Sequence, residues 1–277
     1  MKVVAARAFE TPVNPKSVKV PILLNDEFYI GYLPEAPAET VRRMRRFIFA
    51  VFGFAVVSAF LFVIAQKPFA ASFFEFLQER EFSGNLIAQP HPMLVMLRPS
   101  NTGELPASSR YYLVGEGKFG ADQEAAAWDG KTVKLRGKLI YREDQTMIEV
   151  APGSIQEEVL PGKNLSSLST QKKNLGAFTL RGEIVDSKCF LGVMNPGDLK
   201  THKSCAVRCI SGGSPPLFIV RQSNRVWYFL LLSAEGESVN QFVLDLVARP
   251  IEIHGQVWQE DDLLMLHADP AKYRVLD

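Results

Sequence analysis

Cys189, His202, Cys205 and Cys209 stand close together in the second half of the chain, and the other residues of the 277-residue sequence include no further cysteine. Thiols and imidazoles bind soft metals, form disulfides or act as nucleophiles. When every cysteine falls in one stretch, one local site is implied rather than a fold-wide disulfide framework. The stretch reads SKCFLGVMNPGDLKTHKSCAVRCISGGSP over 187–215. Asn195-Pro196-Gly197 reads as a turn. Leu199 to Ile210 reads as a helix, with Asp198 as N-cap and Gly212-Gly213 as terminator. His202, Cys205 and Cys209 then lie at i, i+3 and i+7 and project from one face. Cys189 precedes the turn and can fold back onto them, and Asp186 closes the strand before it.

Four chemistries fit this set. One is a disulfide from Cys189 to Cys205 or Cys209, favoured in an oxidising compartment. Cys205 and Cys209 are poorly placed to bridge each other on a regular helix. A second is a metal site of Cys189, His202, Cys205 and Cys209, since zinc takes four N or S ligands in a tetrahedron. The spacing Cys-x12-His-x2-Cys-x3-Cys is not that of a zinc finger. A third is copper, because soft thiolates suit Cu(I). The Cys-x3-Cys pair with a histidine and Met194 resembles the ligand sets of copper-A domains and of copper chaperones for cytochrome oxidase, though in a different residue order. The fourth is a catalytic thiol activated by His202, which no oxyanion or substrate-positioning motif accompanies. No phosphate loop, dinucleotide fingerprint, nucleophile elbow or haem-attachment motif occurs, so a non-enzymatic role is expected. His91 reads as a loop histidine, His254 and His267 as strand residues, and Asp261-Asp262 as a solvated hairpin turn.

The elements that hold this site come from an internal repeat. FSGNLIA (82–88) matches LRGEIVD (180–186) at an offset of 98, pairing Gly84 with Gly182. PMLVM (92–96) matches PLFIV (216–220) at 124. VKLRGKLIYREDQTMIEVAP (133–152) matches IEIHGQVWQEDDLLMLHADP (251–270) at 118, pairing Gly137 with Gly255 and Met147 with Met265. These segments alternate apolar and polar residues as half-buried strands do, and further strands are expected at Tyr111–Val114 and Val226–Leu232. A glycine inside a strand marks a bulge or sharp bend, which a small barrel needs to close.

The pattern resembles an OB-fold: a long first strand with a central glycine, a hairpin, then a final strand pair ending in an acidic turn. The resemblance implies two small β-barrel modules, 82–152 and 179–277, joined by a polar linker over 153–178. The rise in offset from 98 to 124 places an insertion, 187–215, after the first strand of the second module. In OB-folds that loop borders the usual ligand face.

Residues Phe47 to Gln66, FIFAVFGFAVVSAFLFVIAQ, carry no charge. They span about 30 Å as a helix, enough to cross a bilayer. Arg42, Arg43, Arg45 and Arg46 precede them, and Glu75, Glu79 and Glu81 follow. The positive-inside rule then puts a Pro-rich tail, 1–46, in the cytoplasm and the modules outside it, in the periplasm of a bacterium. The juxtamembrane segment 67–81, with Phe69, Phe73, Phe74, Phe76 and Leu77, is expected to lie on the membrane as a short helix or to continue the spanning helix. The net charge of +1 gives no support for nucleic-acid binding. The expectation is a mainly β protein anchored by one transmembrane helix in the inner membrane. It acts as an accessory or binding subunit of an envelope complex, with redox or metal chemistry involving zinc or copper. The alternative is a free-standing metal-binding or thiol redox protein.

Overall fold

The computed structural model describes residues 36–65, 72–97, 108–158, 172–223 and 225–276. The chain divides into two units, 1–67 and 68–277. The described part of the first unit is one helix, α1 (Ala38–Ala65), with no buried residue. Its mean hydropathy reaches 2.8, and it is the one described helix long and apolar enough to cross a membrane. It starts nine residues before Phe47, so the four arginines form its N-terminal turns rather than a preceding coil. The expected tail, up to residue 35, and Gln66 lie outside the described residues.

The second unit is mainly β and contains two closed five-stranded barrels. The first uses β2 (Arg80–Ile87), β3 (Met93–Leu97), β4 (Ser108–Val114), β5 (Thr132–Arg142) and β6 (Gln145–Val150), with a short helix, α2 (Asp122–Ala125), between β4 and β5. The first of these strands pairs with the second and fourth, the third with the second and fifth, and the fourth with the fifth. Only β4 and β6 run parallel. The second barrel repeats this circuit with β8 (Lys172–Asp186), β9 (Pro216–Gln222), β10 (Arg225–Leu232), β11 (Pro250–Glu260) and β12 (Leu263–His267), where β10 and β12 are parallel. Closure leaves few unpaired strand edges, which otherwise invite aggregation.

The glycines show why the strands can cross closely. A Cβ on Gly137 would lie 2.5 Å from the Glu149 carbonyl, and one on Gly255 would lie 2.5 Å from the His267 carbonyl. Gly84 stands in the same relation to the Val95 carbonyl, and Gly182 to that of Ile219. Any side chain at these positions would push neighbouring strands apart. Tyr112 opposes Met147 in the first barrel, and Leu230 opposes Met265 in the second.

Three sequence expectations change. Residues 67–71 of the juxtamembrane segment lie outside the described residues, and 72–81 are not helical: β1 (Ser72–Phe74) pairs antiparallel with β5, and Phe73 stacks on Tyr141 at 5.4 Å between ring centroids. Alternating residues there serve two faces of a strand, a pattern that a helix reading misses. The segment 153–178 is partly strand at both ends. β7 (Gln156–Glu157) adds to β5, and β8 begins at Lys172 and pairs along the whole of β11. The outer half of β8 is mostly exposed, so its residues carry little apolar signal. Asp261 and Asp262 are not simply solvated. Asp261 pairs at 3.2 Å with Arg110, whose backbone N–H donates to Asp262 at 3.1 Å.

That last contact crosses between barrels. Glu260 also pairs with Arg110, the Tyr228 hydroxyl donates to Glu143, and Arg142 donates to the Phe190 carbonyl at 2.7 Å while lying over its ring. A single apolar core joins Met93, Tyr112, Ile140 and Met147 of the first barrel to Val185, Phe190, Leu217 and Leu230 of the second. Lys188, 2% exposed, donates to the carbonyls of Gly115 and Gly117 at 2.7 and 2.8 Å and pairs with Glu149 at 2.5 Å. Replacing one partner of a buried pair leaves the other charge uncompensated and typically costs about 3–5 kcal/mol. Lys188→Met should therefore lower the unfolding free energy of the full chain, measured by denaturant titration, by about 3–5 kcal/mol. Lys188→Met with Glu149→Leu should recover most of the loss. Unchanged stability of the single variant would show that this ion pair is not what joins the barrels.

Candidate metal centre

The second barrel's first two strands are joined by residues 187–215, whereas the first barrel needs only residues 88–92 between its own. The chain leaves β8 into a π-helical turn, Cys189–Val193, and then forms α3 (Leu199–Ser211). Asp186, fully buried, starts the turn by accepting the Cys189 N–H at 2.8 Å. Gly197 lets the returning chain pass against the backbone of Cys189 and Phe190, where a Cβ would collide. Asp198 holds the N-cap position of α3 but makes no side-chain cap. The Leu199 N–H donates instead to Glu183 at 2.6 Å, and Asp198 pairs with Arg221. Two carboxylates thus sit at the positive end of the helix dipole. Gly212 and Gly213 close the helix, and the Asn240 amide donates to the carbonyls of Ile210 and Ser214.

This frame brings the three sulfurs together. Cys189 Sγ lies 3.8 Å from Cys205 Sγ and 4.0 Å from Cys209 Sγ, and all three lie within 4.8 Å of one another. They are free thiols. The expected disulfide from Cys189 to either partner is not formed here, because a bridge needs an S–S separation of about 2.05 Å. His202 falls in a second group with Asp186 and Cys189, also within 4.8 Å, and its Nε2 is 3.1 Å from Asp186 Oδ2. The two groups share only Cys189, so His202 does not join the three sulfurs as a fourth mutual neighbour. Met194 follows the π-helical turn and is about half exposed.

Lys118, in the loop after β4 of the first barrel, completes the arrangement. Its Nζ donates to Cys205 Sγ at 2.7 Å and to Cys209 Sγ at 3.9 Å. Its hydrogen bond to Cys205 raises the ammonium above the usual lysine range. The Cys189 thiol is pushed far up, first by its hydrogen bond to Cys209, then by burial and the charge of Asp186. The same hydrogen bond lowers Cys209, with Lys118 adding to the effect. Cys189 thus holds its proton tightly and shares it toward Cys209. Such a group can bind a cation by releasing that proton.

Cys189, His202 and Asp186 also have the residue types of a nucleophilic triad. All three are buried, and Cys189 is the thiol least inclined to ionise, which is the reverse of an activated nucleophile. His91 stands in the loop between β2 and β3 and is buried. Neither ring nitrogen finds a partner, burial lowers its pKa to about 4, and it lines a cavity of about 350 Å³ with Asp122 and Asn240. His254 sits on a strand and bonds Thr179, and His267 ends β12. No protein-family model matches the chain, and no curated protein is similar to it in sequence.

Sequence reasoning found all three cysteines and the helix that carries two of them. It missed Lys118, which lies in the other barrel and far away in sequence; nothing local to GEGKFG marks it as a partner of thiols. In the metal-free, reduced protein, iodoacetamide should modify Cys205 first, because it is half-exposed whereas Cys189 and Cys209 are 4% and 1% exposed. Peptide mass mapping against time reads the order. Labelling of Cys189 ahead of Cys205 would contradict this burial.

Proposed function

We propose that this is a membrane-anchored protein that binds one soft metal ion, zinc or Cu(I), through Cys189, Cys205 and Cys209. The observation that carries this is the sulfur spacing. An ion bonded to thiolates at about 2.3 Å in a tetrahedron sets its sulfurs about 3.8 Å apart, and the distances from Cys189 are 3.8 and 4.0 Å. Two edges of the sulfur triangle thus match that spacing without a bond, and the third is within 4.8 Å, which suits a cation at the centre. Lys118 offsets part of the negative charge that three thiolates would gather.

The barrels read as OB-like modules, since both follow a 1-2-3-5-4-1 circuit and the elaborated loop follows the first strand. Helix α1 reads as the anchor. Arginines at its N-terminal end favour a cytoplasmic tail and barrels on the opposite side, periplasmic in a bacterium. Such a tethered binding module suits an accessory subunit of an envelope membrane complex. A second reading, a thiol redox protein, is favoured by the free thiols in van der Waals contact. There Cys189 and Cys209 would lose two protons and two electrons to an oxidising disulfide partner and form a bridge.

Metal analysis of the full chain, extracted in mild detergent, separates the two. Metal binding predicts about one zinc or copper per chain, lost in Cys189→Ser, Cys205→Ser and Cys209→Ser. It also predicts that a chelator, and not a reductant, speeds amide exchange across 187–215. A metal-free chain whose mass lies two hydrogens below the reduced value would overturn it in favour of the redox reading.

The orientation has its own check. A protease added outside the cytoplasmic membrane should digest the barrels and spare the N-terminal tail. Barrels that remain intact until the membrane is breached would reverse the topology. Copurification of other membrane subunits is expected in the same extract, and a monomer with turnover of its own would exclude the accessory role.

A further inference from the structure

We infer that the ion in this site keeps one coordination position open to solvent, beneath Lys118, and that this position takes a thiolate from a second molecule. The inference rests on the metal reading above and adds to it the question of what closes the coordination sphere.

The chain's own fourth candidate is His202. Its Nε2 is already engaged at 3.1 Å with Asp186, and the two side chains are 4% and 0% exposed. Asp186 is committed in turn, since its other oxygen accepts the Cys189 N–H. An imidazole can ligate through Nδ1 while Nε2 stays on a carboxylate, but His202 groups with Cys189 and not with Cys205 or Cys209; bringing it over the sulfur triangle would strand a buried carboxylate, which is strongly unfavourable. The Asp186–His202 pair therefore acts as a support behind Cys189 and is not a reserve ligand.

The opposite side of the sulfur triangle differs. Cys205 is the half-exposed member, and the side chain nearest to it is an exposed lysine on a loop from the other barrel. An ammonium donates hydrogen bonds and cannot ligate while it holds its protons. Its four-carbon stem is flexible, so it can swing aside while its charge stays near. The sulfur spacing also tolerates both states. Three-coordinate geometry at a bond length of about 2.3 Å needs sulfurs about 4.0 Å apart, and tetrahedral geometry needs about 3.8 Å; the two distances from Cys189 take these values. Closed four-ligand sites are structural, whereas three protein ligands with a vacant position mark sites that exchange a ligand. A soft ion selects sulfur, and the overhanging positive charge favours an anionic donor over a neutral one. Together these choose a thiolate.

The test uses the full chain in detergent, loaded with cobalt(II) as a spectroscopic stand-in and titrated with mercaptoethanol, a cysteine-containing peptide or imidazole. Mercaptoethanol should raise the sulfur-to-cobalt charge-transfer band from the level of three thiolates to that of four. Imidazole should bind more weakly. Saturation by the peptide as well would mean that a partner's cysteine reaches the ion, and saturation by mercaptoethanol alone would mean that only a small thiol does. His202→Gln, which keeps a donor for Asp186, should leave the starting spectrum unchanged. Lys118→Met should weaken thiol binding several-fold without altering that of imidazole. A starting spectrum that changes in His202→Gln, together with no response to any added thiol, would overturn the open position in favour of a closed Cys3His site. Absence of any sulfur-to-cobalt band in the unaltered chain would instead overturn the metal reading, and this inference with it.

Discussion

Lys188 carries a positive charge into the boundary between two barrels, where water cannot solvate it. An ammonium has three donors and accepts nothing, so burial demands three acceptors. The structure supplies them from the other barrel: the carbonyls of Gly115 and Gly117 and the carboxylate of Glu149. This fixes more than a pair of charges. The carbonyls belong to the loop that carries Lys118, and Lys188 immediately precedes Cys189. One buried ion pair thus sets the position of the first barrel's loop relative to the second barrel's cysteines. If the barrels slid past each other, Lys188 would lose its acceptors and Lys118 would leave the sulfurs.

Hydrophobic burial alone would not give that register. The shared core of Tyr112, Met147, Leu217 and Leu230 pulls the barrels together, but apolar contact is non-directional and tolerates small shifts. Directional contacts remove that freedom: Arg110 with Glu260 and Asp261, Arg142 on the Phe190 carbonyl, and the Gly120 N–H donating to the Gly212 carbonyl at 2.8 Å. The last of these binds the end of the Lys118 loop to the end of α3. Both ends of the loop are therefore tied to the insertion, one by Lys188 and the other by Gly212.

Period and glycine made much of this fold legible. Alternation marked β2, β5, β8 and β11, and Gly137 and Gly255 meet strand carbonyls at the same distance because each stands where a barrel bends. The unequal offsets located the insertion, since extra residues in one copy must enter at one point. What stayed hidden has physical causes. The outer half of β8 is solvent-exposed and carries no apolar rhythm, so it read as linker. Phe73 and Phe74 next to a spanning helix read as more of the same helix, because two residues cannot separate a period of two from one of 3.6. Contacts between barrels are invisible to any local pattern: Lys118 and Cys205 are 87 residues apart, and Arg110 and Asp261 are 151 apart.

The one connection in which the two barrels differ explains why the cysteine cluster needs both of them. The first barrel passes from β2 to β3 in five residues and so loses little conformational entropy there. The second orders 29 residues between its corresponding strands, at about 1–2 kcal/mol of backbone entropy each. Phe190, Leu191, Ala206 and Ile210 offset part of that cost by burial, and the first two do so in the core shared with the first barrel. Gly192 packs so closely on the Phe73 carbonyl of β1 that no side chain fits between them. The insertion is thus folded against surfaces that its own barrel lacks. A cysteine cluster built there inherits a half-exposed face toward the Lys118 loop and a sealed face toward Asp186. That asymmetry is what the proposed ligand exchange requires, whereas a cluster that only staples a loop could be sealed on every side.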